Sequence, residues 1–126
     1  MYDITSLYAA LLALIFLVLS VRVILARSAS GISLGSGEDQ NLLRKVRAHS
    51  HFAEYVPFTL LLLLLAESQQ IIAPLVHACG SMLVVSRLVH AYGVDQPVQK
   101  IGYRIAGMIL TFTPIALLAV CLFISL

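Results

Sequence analysis

Charged and imidazole side chains that recur at helical spacing in this chain could form a binding site for a small anion. Arg47, His51 and Glu54 fall within about 60° of one another around a helix, because each residue advances by about 100°. Arg87 and His90 are one turn apart in a later segment. Arginine can hold a carboxylate through two parallel hydrogen bonds, and one glutamate among arginines suits a ligand amine. The pattern therefore favours a ligand that carries carboxylates and an ammonium group.

Further cations extend this set, at Arg22, Lys100 and Arg104. Glutathione fits the pattern, because it carries two carboxylates, an ammonium group and a thiol. An arginine beside the sulfur would stabilise the thiolate, which is the nucleophilic form. The residues alone thus indicate an anion site in which thiol chemistry is feasible, and we expect no metal in it.

The same residues also have ordinary structural interpretations. Basic side chains at helix ends commonly set topology and contact lipid headgroups, which applies most to Arg27, Arg44 and Lys45. Glu54 could pair with a neighbouring arginine inside a bundle, and His90 could be a satisfied interior histidine. The tyrosines near the helix ends could belong to an interfacial belt: Tyr55, Tyr92 and Tyr103.

Composition places the chain in a membrane. Of its 126 residues 60% are hydrophobic and 11% are charged, against roughly 45–50% and about 25% in soluble domains. A spanning helix needs about 20 mostly apolar residues. Four such segments are predicted, and they form a single domain over residues 1–126: about 4–25, 39–66, 71–92 and 99–125.

The distribution of positive charge predicts the orientation. All eight Lys and Arg residues lie at four predicted helix ends that share one membrane face: Arg22, Arg27, Arg44, Lys45, Arg47, Arg87, Lys100 and Arg104. By the positive-inside rule this face is cytoplasmic, so the loops after helices 1 and 3 are cytoplasmic and both termini lie opposite. The net charge of +2 is too small to indicate a nucleic-acid partner.

Three motifs in order give the chain a family resemblance. Residues 47–57 read RAHSHFAEYVP, residues 87–93 read RLVHAYG, and residues 104–111 read RIAGMILT. They resemble the helix-2, helix-3 and helix-4 motifs of the MAPEG superfamily, the membrane-associated proteins in eicosanoid and glutathione metabolism. The match is best to its small bacterial members, which implies an integral protein of the bacterial inner membrane.

The resemblance implies an all-α, four-helix membrane bundle that assembles as a homotrimer, with glutathione between subunits near the cytoplasmic side. It assigns Arg104 the catalytic role of stabilising the thiolate, with Lys100 as the competing residue. The residues that it implies for glutathione binding are Arg22, Arg47, His51, Glu54, Tyr55, Arg87, His90 and Tyr92.

This chain departs from the family pattern at two positions. His51 stands where the family usually has asparagine, and Ser50 stands where some prostaglandin synthases carry a second arginine. A neutral imidazole offers one donor and one acceptor, as an amide side chain can, but on a differently shaped ring. The substitution leaves open whether glutathione affinity is kept, weakened or replaced by affinity for another ligand.

The leading functional hypothesis is a glutathione-dependent transferase or peroxidase that acts on lipophilic electrophiles or hydroperoxides dissolved in membrane lipid. The alternative is a non-catalytic protein of the same family that binds lipid or glutathione. A small multidrug transporter also has four short helices but is known for an acid in its first helix, and no acid lies between Ile4 and Arg22.

Overall fold

The computed structural model describes residues 1–98 and 100–126 and is all-helical over that range. The helices are α1 (Asp3–Ser30), α2 (Gln40–Ser68), α3 (Ala73–Asp95) and α4 (Ile101–Ser125). All four are long and apolar enough to cross a membrane, which confirms the all-α prediction with four candidate spans. The predicted start of the fourth helix at Gln99 lies outside the described residues.

Capping interactions determine where α1 ends and where α2 begins. α1 continues past the predicted boundary near residue 25 and ends at Ser30, just before Gly31. Gly31 adopts a left-handed conformation with φ of 72°, and its N–H donates to the carbonyl of Arg27. α2 begins after Asp39, whose side chain accepts a hydrogen bond from the Leu42 N–H at 2.9 Å.

The helices pack through two apolar clusters and leave many large apolar side chains outside. One cluster includes Phe52 and Leu83 near the middle of the bundle, and the other includes Leu63 and Leu118 nearer the termini. Leu14 on α1 is 62% exposed and is one of many such side chains on the outer surface. A soluble protein would bury this surface, whereas lipid can cover it without cost.

The end of the bundle that carries the termini is held by a polar group that we call the Glu67 cluster: Thr5, Tyr8, Glu67, His77 and Ser81. The Glu67 carboxylate accepts from the backbone N–H groups of Ile4 and Thr5 at 3.0 and 2.7 Å and from the Thr5 hydroxyl at 2.6 Å. The first N–H groups of a helix have no partner within it. Glu67 of α2 therefore caps α1.

The same cluster ties α3 to α1. The Tyr8 hydroxyl lies 2.9 Å from His77 Nδ1 and 3.0 Å from Ser81 Oγ. The Tyr8 ring covers Gly80, where an added Cβ would lie 2.3 Å from a ring carbon. Glycine at this position is thus needed for the close approach of α1 and α3.

Candidate anion-binding site

A cavity of about 410 Å³ opens among the basic ends of α2, α3 and α4. This volume is within the range of small-molecule sites, about 300–1,000 Å³. Among the described residues, six charged or imidazole side chains line it: Arg44, Arg47, His51, Glu54, His90 and Arg104. The cavity therefore brings together polar residues from three helices that are distant in sequence.

Helical spacing and one close helix contact put these residues at the cavity. The four residues that α2 supplies recur at intervals of three or four and share one face of that helix. On α4, Gly107 lets α3 approach closely, because a Cβ there would lie 3.0 Å from the Cβ of His90. Arg104, one turn earlier, is thereby placed beside the cavity.

The cavity carries unbalanced positive charge. Within residues 1–98 and 100–126, none of the ion pairs involves Arg44, Arg47, Glu54 or Arg104. The Nε of Arg44 is buried and has no hydrogen-bond partner among the described residues. A buried donor without a partner costs about 1–3 kcal/mol, so an acceptor supplied by a ligand would be stabilised here. Three guanidinium groups against one carboxylate favour an anion.

His51 lines the cavity, but both of its ring nitrogens contact the protein. Arg87 Nη1 donates to His51 Nδ1 at 2.6 Å, and His51 Nε2 lies 2.9 Å from Met108 Sδ. A guanidinium group only donates, so Nδ1 is the acceptor and Nε2 carries the proton. The ring stacks on His90 with centroids 3.8 Å apart and planes 21° apart. His51 therefore presents the ring itself, and no unpaired nitrogen, to the cavity.

Arg87 contacts His51 and is almost fully buried, and it also lines a second groove, between α1 and α3. Only 2% of the residue is exposed. Besides His51, its guanidinium group donates to Ser86 Oγ at 3.2 Å and to Thr111 Oγ1. Among the described residues no carboxylate forms an ion pair with it. Among the described residues, the groups that accept hydrogen bonds from this guanidinium are therefore all neutral.

Arg22 and Tyr92 lie elsewhere, along a second groove of about 420 Å³ between α1 and α3. Arg22 forms an ion pair with Asp95 at 2.8 Å, and Lys45 binds the same carboxylate oxygen. Tyr92 contacts Tyr103 edge to face at 5.3 Å. Within one chain these two predicted glutathione ligands are thus separated from the cavity lining.

Comparison with known proteins identifies the family to which the chain belongs. The family model described as "MAPEG family" matches residues 5–124. The chain belongs to the MAPEG family. It is 30% identical over 115 residues to inner membrane protein YecN of Escherichia coli K12, a match that covers 91% of this chain and 86% of the relative. YecN of Escherichia coli O6:H1 matches to the same extent.

The resemblance that three motifs indicated is therefore confirmed over nearly the whole chain. No solved structure matches this chain significantly. The family match, the inner-membrane relative and the four candidate spans establish an integral protein of the bacterial inner membrane. It is a member of the superfamily of membrane proteins in glutathione and eicosanoid metabolism.

The nine predicted site residues of this MAPEG protein divide into two groups. The cavity brings five of them together: Arg47, His51, Glu54, His90 and Arg104. The other four lie outside its lining, although Tyr55 and Arg87 contact the His51 ring from the protein side: Arg22, Tyr55, Arg87 and Tyr92. Lys100, the predicted competitor of Arg104, is exposed at the N-cap of α4 and is absent from the described lining.

The sequence did not predict the positions of Arg44 and Asp95 in the site region. Arg44 lines the cavity, whereas the sequence favoured lipid headgroups as its partners. Its position one turn before Arg47 on the same helical face was the signal for the cavity. Asp95 had no predicted role and neutralises part of the charge of Arg22 and Lys45. No spacing rule indicates that contact, because the three residues come from three helices.

Proposed function

We propose that this MAPEG protein binds glutathione in the cavity and uses it as a co-substrate in transfer to lipophilic electrophiles or in reduction of lipophilic hydroperoxides. The observation that carries the proposal is the cavity's charge: three arginines, one of them with an orphaned buried donor, surround a single glutamate without forming ion pairs among the described residues.

Each charged group of glutathione has a complementary group in the lining. The guanidinium groups of Arg44 and Arg47 are suited to its carboxylates, which arginine holds bidentately. Glu54 is suited to its ammonium group, because it is exposed and lines the cavity. Within one cavity, a carboxylate and guanidinium groups that form no ion pair with any described residue match a ligand with both signs of charge better than they match a simple inorganic anion.

Arg104 is the proposed catalytic residue, because it lies in the first turn of α4 and lines the cavity. A guanidinium group and the positive end of a helix both stabilise a thiolate. Lowering a thiol pKa from about 9 to about 7 requires about 2.7 kcal/mol, at about 1.36 kcal/mol per unit. Two such favourable charges can supply this amount.

Two reactions are open to a thiolate at this position. In transfer, the sulfur forms a bond to an electrophilic carbon, and the leaving group departs with its electron pair. In peroxide reduction, the sulfur attacks the hydroperoxide, the O–O bond breaks, and an alcohol and glutathione sulfenic acid form. A second glutathione then gives the disulfide and water. In both reactions the protein brings a water-soluble thiol to a lipid-soluble partner.

The proposal includes assembly as a homotrimer, which is the arrangement that the family resemblance implies. Arg22 and Tyr92 do not line the cavity of their own chain. In a trimer they are candidates for contacts with glutathione held by a neighbouring subunit. Membrane lipid is the expected source of the second substrate.

Titration calorimetry of the detergent-solubilised protein with glutathione tests the binding step. We expect saturable binding below millimolar concentration, and we expect Arg47→Ala to weaken it about 10-fold. A conjugation assay with a chromogenic electrophile then tests catalysis. Absence of heat at millimolar glutathione would overturn the proposal for this cavity.

A non-catalytic lipid- or glutathione-binding protein is the second candidate. The engagement of both His51 nitrogens within the protein favours it, because the family's asparagine position then offers no direct hydrogen bond to the ligand. Glutathione binding without thiol-dependent conjugation or peroxide reduction would distinguish this candidate from the enzyme.

A further inference from the structure

Arg87 is a buried cation whose hydrogen-bond partners come from three helices. It donates to His51 Nδ1 on α2, to Ser86 Oγ on α3 and to Thr111 Oγ1 on α4. Burial of a charge without a counter-charge is costly unless hydrogen bonds satisfy it. These three hydrogen bonds offset part of that cost and hold the guanidinium group in one position.

The two hydroxyl acceptors of Arg87 are oriented by hydrogen bonds that they donate to backbone carbonyls. The Ser86 hydroxyl donates its proton to the Leu83 carbonyl at 2.5 Å, and the Thr111 hydroxyl donates its proton to the Gly107 carbonyl at 2.7 Å. Each hydroxyl therefore presents lone pairs to the guanidinium group. With Nε and Nη2 held by these hydroxyls, Nη1 is aimed at the third acceptor.

That third acceptor is His51 Nδ1, and its position determines what the cavity presents to a ligand. With Nδ1 accepting, the proton lies on Nε2 and is directed toward Met108 Sδ. The fixed ring then forms the surface on which His90 stacks at 3.8 Å. His90 also lines the cavity. The orientation of both His51 and His90 therefore depends on the hydrogen bond from Arg87 to His51.

We propose that Arg87 is a positioning residue that acts through His51: its hydrogen bond to Nδ1 fixes the tautomer and the plane of the imidazole, and its guanidinium group does not contact the ligand. The part of this proposal that concerns ligand affinity rests on the proposed glutathione function, whereas the part that concerns the imidazole does not. The role is specific to a chain with histidine at position 51.

The first test needs no ligand. Side-chain ¹⁵N chemical shifts of His51 in the full-length, detergent-solubilised protein report its tautomer. We expect the Nε2-protonated form in the wild type, and a mixture of tautomers in Arg87→Met, which removes every donor. Thr111→Val is the matched control, because it removes an Arg87 partner but keeps the bond to His51. It should retain the wild-type tautomer.

A wild-type spectrum with Nδ1 protonated, or with averaged tautomers, would overturn the proposal whether or not glutathione binds. Because that measurement uses the wild type, it can overturn the proposal even if Arg87→Met does not fold. Arg87→Lys is the conservative variant, and it should keep the wild-type tautomer, because the lysine ammonium group can still donate to His51 Nδ1.

The second test is a double-mutant cycle on glutathione affinity, measured by calorimetry. We expect Arg87→Met to weaken affinity about 5-fold in the wild type, and less than 2-fold in the His51→Ala background. Equal losses in both backgrounds would show that Arg87 contacts the ligand itself and would overturn the positioning role. If no variant binds glutathione, the proposed function fails, and the tautomer measurement still decides the role of Arg87.

Discussion

Each end of the bundle contains a glutamate and histidine, but the two ends differ in whether the chain itself satisfies the polar groups beside them. At the end with the termini, Glu67 accepts three hydrogen bonds and the Tyr8 hydroxyl contacts two partners, all within the chain. At the basic end, Arg47 and Arg104 face a cavity without ion pairs among the described residues. The presence of a glutamate therefore does not by itself distinguish a structural role from a ligand-binding one, whereas the hydrogen bonds that its own chain makes to it do.

The contrast has an energetic consequence. The first end gains stability from hydrogen bonds, each contributing about 0.5–1.5 kcal/mol and more when a charge takes part. The second end keeps like charges close together and leaves Arg44 Nε without a partner among the described residues. Such an arrangement reduces the stability of the empty protein and increases the stability of a complex with an anion. Substitutions at the two ends should therefore change different measurements.

The largest effect is expected at Arg104. Arg104→Ala should lower the rate of thiol conjugation about 100-fold, because one group that stabilises the developing charge is lost. The measurement is conjugation of a chromogenic electrophile with saturating glutathione. Lys100→Ala removes a nearby positive charge that the structure places outside the described cavity lining, and it should change the rate less than 3-fold. Full activity in Arg104→Ala would contradict its proposed role in stabilising the thiolate.

The next effect concerns the opposite end. Gly80→Ala should destabilise the fold by about 1–3 kcal/mol, because its Cβ would overlap the Tyr8 ring, which has little room to move. Thermal unfolding in detergent measures the change. Gly102→Ala is the matched control, since a Cβ there has no atom within 4 Å. Equal melting temperatures for the two variants would show that the Tyr8 contact does not form.

A smaller and purely ligand-dependent effect is expected at Arg47. Arg47→Ala should weaken glutathione binding about 10-fold, as expected for the loss of a charged hydrogen bond, with little change in melting temperature. Arg27→Ala removes the same charge from the same membrane face, but the Arg27 guanidinium donates to carbonyls of the loop after α1. If both variants bind equally weakly, the effect is one of overall charge and the cavity is not the site.

The sequence predicted the features that depend on local pattern. Runs of apolar residues predicted four long helices, and the intervals between Arg47, His51 and Glu54 predicted a shared face on α2. The periodicity of a helix fixes which residues share a face whatever the helix packs against. The roles of these residues remain predictions, which the experiments above test.

The features that depend on how helices rotate against one another were not predictable from spacing. The contact of Arg87 with His51 and the ion pair of Arg22 with Asp95 join residues 36 and 73 positions apart along the chain. Their formation depends on packing details such as the absence of a side chain at Gly107, where α3 and α4 approach. A helical wheel for one helix does not contain this information.

The smallest effect that still separates the two ends is expected at Glu67. Glu67→Gln should destabilise the fold by about 1 kcal/mol, because α1 donates to both carboxylate oxygens and the amide nitrogen that replaces one of them cannot accept a hydrogen bond. Asp3→Asn removes an exposed carboxylate from the same helix end and should be nearly neutral in thermal unfolding. Glutathione affinity should be unchanged in both variants, since the Glu67 cluster and the cavity lining share no described residue. A loss of affinity in Glu67→Gln that matches its loss of stability would mean that the two ends are coupled, and the division between a structural end and a ligand-binding end would then fail.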